Sequence, residues 1–286
     1  MIITITCNPA IDKTVYDNKT VFDIGGKGIN VSKLLKNLDV DTLVTGFIGK
    51  ENKDIIIDKL NELGIENHFI EIDGSVRTNT KKIINNELFE ENEKGPTIND
   101  KDKDALINYL RQFRNEIIVL SGSCTLNIYY ELLKVLKDND NYVILDCDGA
   151  LLKDGIKARP NVIKPNKDEI CRYFNCEYKE EKIIENCKKL GLDLICISLG
   201  KEGSIFVCGD KAYRINALDI DYKSALGAGD CMVGGIAYSK FNNLDIIETI
   251  KLAVACASAA CETEGSKAPS KDSIFAKKER VKVQML

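Results

Sequence analysis

The sequence predicts an α/β protein with a mostly parallel sheet covered by helices on both faces. Short β-branched runs recur at 2–6, 42–48, 116–120, 142–146, 161–163 and 194–199, and most precede a stretch of helical periodicity. In 29–38, Val31, Leu34, Leu35 and Leu38 fall on one face at i, i+3, i+4 and i+7. Strands that alternate with helices pair in parallel through right-handed crossovers. Ligands in such sheets bind beyond the carboxyl ends of the strands, and polar residues and glycines gather there. Asn8 and Asp12 follow the first run, Gly46 and Gly49 belong to the second, and Ser121-Gly122-Ser123, Asp146, Lys164-Pro165-Asn166 and Gly200 follow the others.

Two stretches break the alternation, 12–23 and 77–96. In the second, Thr78-Asn79-Thr80-Lys81-Lys82-Ile83-Ile84 and Glu87-Leu88-Phe89 flank Asn85-Asn86, which reads as a hairpin. Together the two stretches predict a small sheet lying over the strand ends as a lid, or a plain surface hairpin.

Composition narrows the function classes. The 286 residues suit one large domain or two small ones, at roughly 100 to 200 residues per domain. No internal repeat or low-complexity tract marks a linker, and there are only five prolines. Hydrophobic residues make up 44% and charged residues 29%, which excludes wholesale disorder and a fibrous architecture. Forty basic residues against 44 acidic ones give a net charge of −4 with no strongly basic segment, so nucleic acid is not an expected partner. No apolar run approaches the roughly 20 residues of a membrane helix. The start, Met1-Ile2-Ile3-Thr4-Ile5-Thr6, reads as a strand and not a signal peptide. The expected address is the cytoplasm, and the expected partners are small molecules.

Eleven scattered cysteines, odd in number and without a Cys-x-x-Cys, read as reduced and mostly structural thiols. Cys256 and Cys261 are five apart on an expected helix, which puts them on different faces and argues against a shared zinc. The one histidine, His68, stands where a loop enters a strand. With it away from a catalytic centre, a general base must be Asp, Glu, Lys, Tyr or Cys.

The strongest local signal for chemistry is Leu226-Gly227-Ala228-Gly229-Asp230-Cys231-Met232-Val233-Gly234-Gly235. A glycine-rich turn here opens a helix, so converging backbone N–H groups and the helix dipole can stabilise an anion. Asp230 lies in the first turn, where its carboxylate also gains from the dipole. A base beside fixed dipoles is what phosphoryl transfer requires. A second turn, Ile24-Gly25-Gly26-Lys27-Gly28-Ile29-Asn30, opens another helix whose polar face is expected to carry Asn30 and Lys33. Without side chains in the way, such a turn can approach a sugar closely. Neither turn matches a Walker loop or Gly-x-Gly-x-x-Gly.

These residues resemble the ribokinase-like carbohydrate kinases, in particular their 1-phosphofructokinase and tagatose-6-phosphate kinase branch. The resemblance runs nearly the whole chain. It is carried in order by Cys7-Asn8-Pro9-Ala10-Ile11-Asp12, Gly25-Gly26-Lys27-Gly28-Ile29-Asn30-Val31-Ser32, Gly46-Phe47-Ile48-Gly49, Arg77-Thr78-Asn79, Ser121-Gly122-Ser123, Lys164-Pro165-Asn166-Lys167-Asp168-Glu169, Ser198-Leu199-Gly200-Lys201-Glu202-Gly203 and Gly227-Ala228-Gly229-Asp230.

The resemblance implies a three-layer α/β/α ribokinase-like fold in a single domain, 1–286, with lid segments at about 12–24 and 76–97. It implies ATP and Mg²⁺, and a ketohexose monophosphate as acceptor: fructose 1-phosphate first, tagatose 6-phosphate as the alternative. By the same resemblance Asp230 is the general base, and the amides of Gly227, Ala228 and Gly229 form the anion hole. Asp12, Gly26, Lys27 and Asn30 hold the sugar, while Arg77 and Ser123, with Lys27 as a further candidate, engage the phosphate it already carries, a task that suits a planar guanidinium and a short hydroxyl. Asn166 and Glu169 position Mg²⁺, Glu169 through water. Lys164, Ser198, Gly200 and Gly203 line the nucleotide site, which the helix around Ala255 to Ala260 closes; Lys164 also reads as an exposed strand end.

Two departures stand out. Ala225 replaces the family's hydroxyl two residues before the first glycine of the Gly-Ala-Gly-Asp turn. The segment between Asp12 and Gly25 is about a dozen residues shorter than this branch leads one to expect. That region supplies lid strands and often a dimer interface in relatives, so lid closure and a homodimer are both left open. Rival readings are a sugar-phosphate sensor without turnover, a nucleoside or vitamin kinase of the same fold, and a dinucleotide-dependent oxidoreductase.

Overall fold

The computed structural model describes residues 1–15, 19–84 and 87–286. The chain opens with strands β1 (Ile2–Thr6), β2 (Ala10–Val15) and β3 (Thr20–Gly25), helix α1 (Lys27–Asn37), strand β4 (Thr42–Glu51), helix α2 (Lys53–Glu62) and strands β5 (Glu66–Ser75), β6 (Arg77–Ile84) and β7 (Glu87–Asn92). Its middle alternates α3 (Asp100–Leu110), β8 (Ile117–Ser121), α4 (Tyr129–Asp138), β9 (Tyr142–Asp146), α5 (Gly149–Lys157), β10 (Val162–Ile163), α6 (Lys167–Phe174) and α7 (Glu180–Leu190). Strands β11 (Leu194–Ser198), β12 (Ser204–Cys208) and β13 (Lys211–Ile215) precede α8 (Ala228–Phe241), α9 (Ile246–Ala260), α10 (Lys271–Lys278) and β14 (Gln284–Met285).

Ten strands form one sheet in the order β14-β13-β12-β11-β10-β9-β8-β1-β4-β5. From β5 to β11 every pairing is parallel, and β12, β13 and β14 add an antiparallel edge. The central strands alternate between two cores, as the period of a pleated strand requires. Ile3 and Ile5 of β1, Ile118 and Leu120 of β8, and Val143 and Leu145 of β9 pack with Leu106, Leu132 and Leu152 from α3, α4 and α5. On the other face Ile2, Val119 and Ile144 pack with Leu34 of α1, Ile236 of α8 and Ala253 of α9. The expected three-layer α/β/α arrangement is therefore present.

The stretches expected to form a lid carry a second sheet, ordered β3-β2-β6-β7. Strands β2 and β6 pair in parallel, and each has an antiparallel partner outside it. Strands β6 and β7 make the expected hairpin, with Ile84 opposite Glu87; the turn expected at Asn85-Asn86 lies outside the described residues. Lys33, expected on the polar face of α1, is instead buried. Its Nζ donates to the Ile24 carbonyl at 2.6 Å and to Asp23 Oδ1 at 3.1 Å, pinning β3 to the main body.

His68 lies within β5, its ring stacked on Tyr109 at 4.1 Å. Among the described residues no three His, Cys, Asp or Glu side chains form a metal-holding group, and no helix is long and apolar enough to cross a membrane. All eleven cysteines are free thiols.

Candidate active site

The parallel register brings Thr6, Ser121 and Asp146 to the same edge of the sheet, one at the end of each adjacent strand. Asp146 is 1% exposed. Its Oδ1 accepts from Lys27 Nζ at 3.1 Å and forms an ion pair with Lys164 Nζ at 3.4 Å. Burial alone would raise the pKa of Asp146, but these two ammonium groups outweigh it and hold the carboxyl below the usual range. For Lys27, burial would lower the pKa, and the charges of Asp146 and Asp230 reverse that and raise it. Lys27 is therefore a cation at neutral pH. Lys164 is 5% exposed, which overturns its reading as an exposed strand end.

Helix α8 begins above this cluster. Its N-cap, Gly227, has φ 76°, a backbone state open to glycine at little cost. The Ala228 N–H, expected in the anion hole, instead donates to the Ala225 carbonyl at 3.2 Å and closes the turn. A Cβ on Gly229 would stand 3.2 Å from Lys164 Nζ, so the lysine lies directly against the turn. Asp230 is buried, and its Oδ2 accepts from Asn30 Nδ2 at 2.8 Å. Burial first, then the negative charge of Asp146, pushes its carboxyl up to about 6, against the opposing pull of Lys27, Asn30 and Lys164. A carboxylate of that pKa is charged at neutral pH and basic enough to take a proton from a hydroxyl as the bond to phosphorus forms.

The small sheet approaches from the side. Asp12 of β2 stands opposite Asn79 of β6, which donates from Nδ2 to Asp12 Oδ1 at 2.9 Å. Burial raises the Asp12 pKa, and this hydrogen bond opposes the rise. Arg77, at the start of β6, donates from Nε to the Asn8 carbonyl at 3.2 Å, and Asn8 Nδ2 donates to Ser123 Oγ at 3.3 Å. On the opposite flank Asn166 caps α6 and shares a reciprocal capping box with Glu169, at 2.8 Å in both directions. Asn166 also bridges to Ser198 of β11.

Comparison with known proteins identifies the family. Residues 1–273 match the model of the pfkB family carbohydrate kinases. The chain belongs to the pfkB family of carbohydrate kinases. It is 33% identical to a 1-phosphofructokinase of Borreliella burgdorferi, over 91% of each chain, and 31% identical to one of Escherichia coli strain K12, over 91% of this chain and 90% of the other. Among solved structures, phosphofructokinase-2 of Escherichia coli in complex with potassium shares the fold at TM-score 0.91 and 22% identity, covering 98% of both chains.

Family membership makes this chain a kinase and implies ATP as the phosphoryl donor. The residues singled out by sequence fall into three neighbourhoods in this kinase. Gly26 sits at the N-cap of α1, and Lys27 and Asn30 in the first turns of that helix; Lys27 and Lys164 pair with Asp146, Asn30 binds Asp230, and Gly229 lies against Lys164. Asp12, Arg77 and Ser123 collect beside Asn79 and Asn8. Asn166, Glu169 and Ser198 form the third group, and Gly200 and Gly203 lie on the turn between β11 and β12.

Three residues that organise these groups went unassigned from sequence: Asp146, Asn8 and Asn79. Asp146 and Asn8 stood among the polar residues after strand ends. The further signal for Asp146 was a lone acid closing a fully apolar strand, Tyr142-Val143-Ile144-Leu145, which demands a buried cationic partner.

Proposed function

We propose that this kinase transfers the γ-phosphoryl group of ATP to a ketohexose monophosphate, with fructose 1-phosphate giving fructose 1,6-bisphosphate. The observation that carries the reading is the placement of Asp230: a buried carboxylate on the first turn of α8, beside two lysines and the amides of a glycine turn. The names of the two relatives support the substrate. So does the arginine and serine pair on the acceptor side, since Arg77 offers a forked donor to an anion.

In this reading Asp12 and Asn30 hold sugar hydroxyls, and Arg77 and Ser123 hold the phosphate already present. Asp230 takes the proton of the attacking hydroxyl, while the amides of Gly227 and Gly229, Lys27 and Lys164 face the charge that spreads over the moving phosphoryl group. The small sheet closes over the strand ends and excludes water, so that 1–286 acts as a single domain whose lid segments are 12–24 and 76–97.

The donor set suits magnesium. Glu169 commits Oε2 to the Asn166 amide, and among the described residues no acidic trio forms a cage, which fits an ion carried mainly on phosphate oxygens and water. Asn166 and Glu169 would hold it, and when bound it neutralises nucleotide phosphate charge. Ser198, Gly200 and Gly203 would line the nucleotide side, with α9 closing it.

The reading extends to a homodimer through the small sheet. Phe22 and Phe89, 60% and 54% exposed, lie on the face opposite to Asp12 by strand register, and sedimentation velocity checks it. The cytoplasm is the proposed compartment, where reducing conditions would keep eleven free thiols reduced.

A coupled ADP-release assay with Mg-ATP tests the function, run against fructose 1-phosphate, tagatose 6-phosphate, fructose 6-phosphate and fructose. Turnover is expected with fructose 1-phosphate at the highest kcat/KM. A higher value for tagatose 6-phosphate would reassign the substrate, and ATP binding without turnover on any sugar would replace the kinase reading with a sensor.

A further inference from the structure

We infer that the side chain of Asn8 sets the donor pattern of the subsite for the substrate's own phosphate, and is thereby a positioning residue for the preference of a phosphorylated sugar over a free one. The inference rests on the reading above, in which Arg77 and Ser123 face that phosphate.

Asn8 leaves β1 and meets three distant segments. It is 7% exposed. Its Nδ2 donates to the Lys94 carbonyl at 3.0 Å and to Ser123 Oγ at 3.3 Å, and its own carbonyl accepts from Arg77 Nε at 3.2 Å. The Lys94 carbonyl has no hydrogen to give, so it fixes which end of the amide is nitrogen.

That assignment dictates the rest. Ser123 Oγ receives a hydrogen from Asn8, so its own O–H points elsewhere, as a donor available to an anion. A hydroxyl free to accept or donate would have no such bias. Arg77 spends Nε on the Asn8 main chain, which anchors the guanidinium and leaves its two Nη groups to offer a fork. The Asn8 side chain thus turns one flexible hydroxyl into a directed donor, beside an arginine anchored on the Asn8 main chain.

The packing around the amide is exact enough to hold it. Asn8 Oδ1 is buried with no hydrogen-bond partner among the described residues. Gly95 has φ +84°, and a Cβ there would lie 2.2 Å from that oxygen. Glycine is therefore required where the chain leaving β7 presses the Lys94 carbonyl onto Asn8. The amide also ties the subsite to the exit of the small sheet.

Replacing the amide by a carboxylate inverts the pattern. In Asn8→Asp the side chain has no hydrogen to donate, takes the Ser123 O–H for itself, and sets a negative charge beside the anion. The experiment measures kcat and KM for fructose 1-phosphate and for fructose in the full-length wild type, Asn8→Asp, Asn8→Ala, Ser123→Ala and the Asn8→Ala/Ser123→Ala pair. Asn8→Asp is expected to raise KM for fructose 1-phosphate on the order of 100-fold, with kcat within several-fold and fructose kcat/KM undiminished. Asn8→Ala is expected to raise that KM roughly 5- to 10-fold alone, and less than about twofold on the Ser123→Ala background, because the two act as one unit. Equal losses on both sugars, or additive effects in the pair, would overturn the inference and leave Asn8 a structural residue. A wild type indifferent to the sugar's phosphate would sink the underlying reading, and the inference with it.

Discussion

Asn30 donates from Nδ2 to Asp230 Oδ2 at 2.8 Å, across 200 residues of sequence. The bond stabilises the charged carboxylate and pulls its pKa down against burial and Asp146, leaving it at about 6. A base must be unprotonated to act, so kcat/KM is expected to fall as pH drops through about 6. Asn30→Ala removes the donor, so that acid limb moves to higher pH. Its loss of kcat is then larger at pH 6 than at pH 8. Profiles of kcat against pH for both proteins check this, and an unmoved limb would separate Asn30 from the base.

Asp230 should also carry a stability cost that its function requires. Its folded-state pKa of about 6 lies above the ordinary 3.8, so the native state binds the proton more tightly than the unfolded chain does. The carboxyl therefore favours folding below about pH 4, and that advantage disappears as pH rises through 6. At 1.36 kcal/mol per pH unit, the interval amounts to ~3 kcal/mol as an upper bound. Asp230→Asn is expected to lower kcat by about 10² to 10⁴, to gain stability at pH 8, and to lose that gain near pH 4. Urea melts at the two pH values check the sign. A variant less stable than wild type at pH 8 would contradict the buried-charge account.

The parallel sheet was legible because β-branched runs such as Ile2-Ile3-Thr4-Ile5-Thr6 alternate with amphipathic helices, and that pattern depends only on near neighbours in sequence. The Gly227-Ala228-Gly229-Asp230 turn was legible for the same reason, since dipole, amides and carboxylate lie within four residues. The antiparallel edge was not read: β12 and β13 are five residues each around Gly209-Asp210, a hairpin signal that the helical alternation masked. Lys33 was misread because helical periodicity separates polar from apolar positions but is blind to β3, whose Ile24 carbonyl buries the ammonium. Contacts such as Asn8 with Ser123, 115 residues apart, follow from sheet register, which no local pattern encodes.

Asp146 is expected to be the charge that makes the rest of the site affordable to the fold. It is 1% exposed, and Lys164 beside it is 5% exposed. Removing one partner of a buried pair leaves the other uncompensated, at a cost of about 3 to 5 kcal/mol. In Asp146→Asn two ammonium groups, Lys27 and Lys164, face each other across a neutral amide, so the native state should lose stability on that scale. If the loss comes from unbalanced charge, then Lys164→Met added to Asp146→Asn removes one of the two cations and restores part of it. Urea unfolding of the single and double variants decides the point. A double variant less stable than Asp146→Asn would mean that packing, and not charge balance, sets the cost at this position.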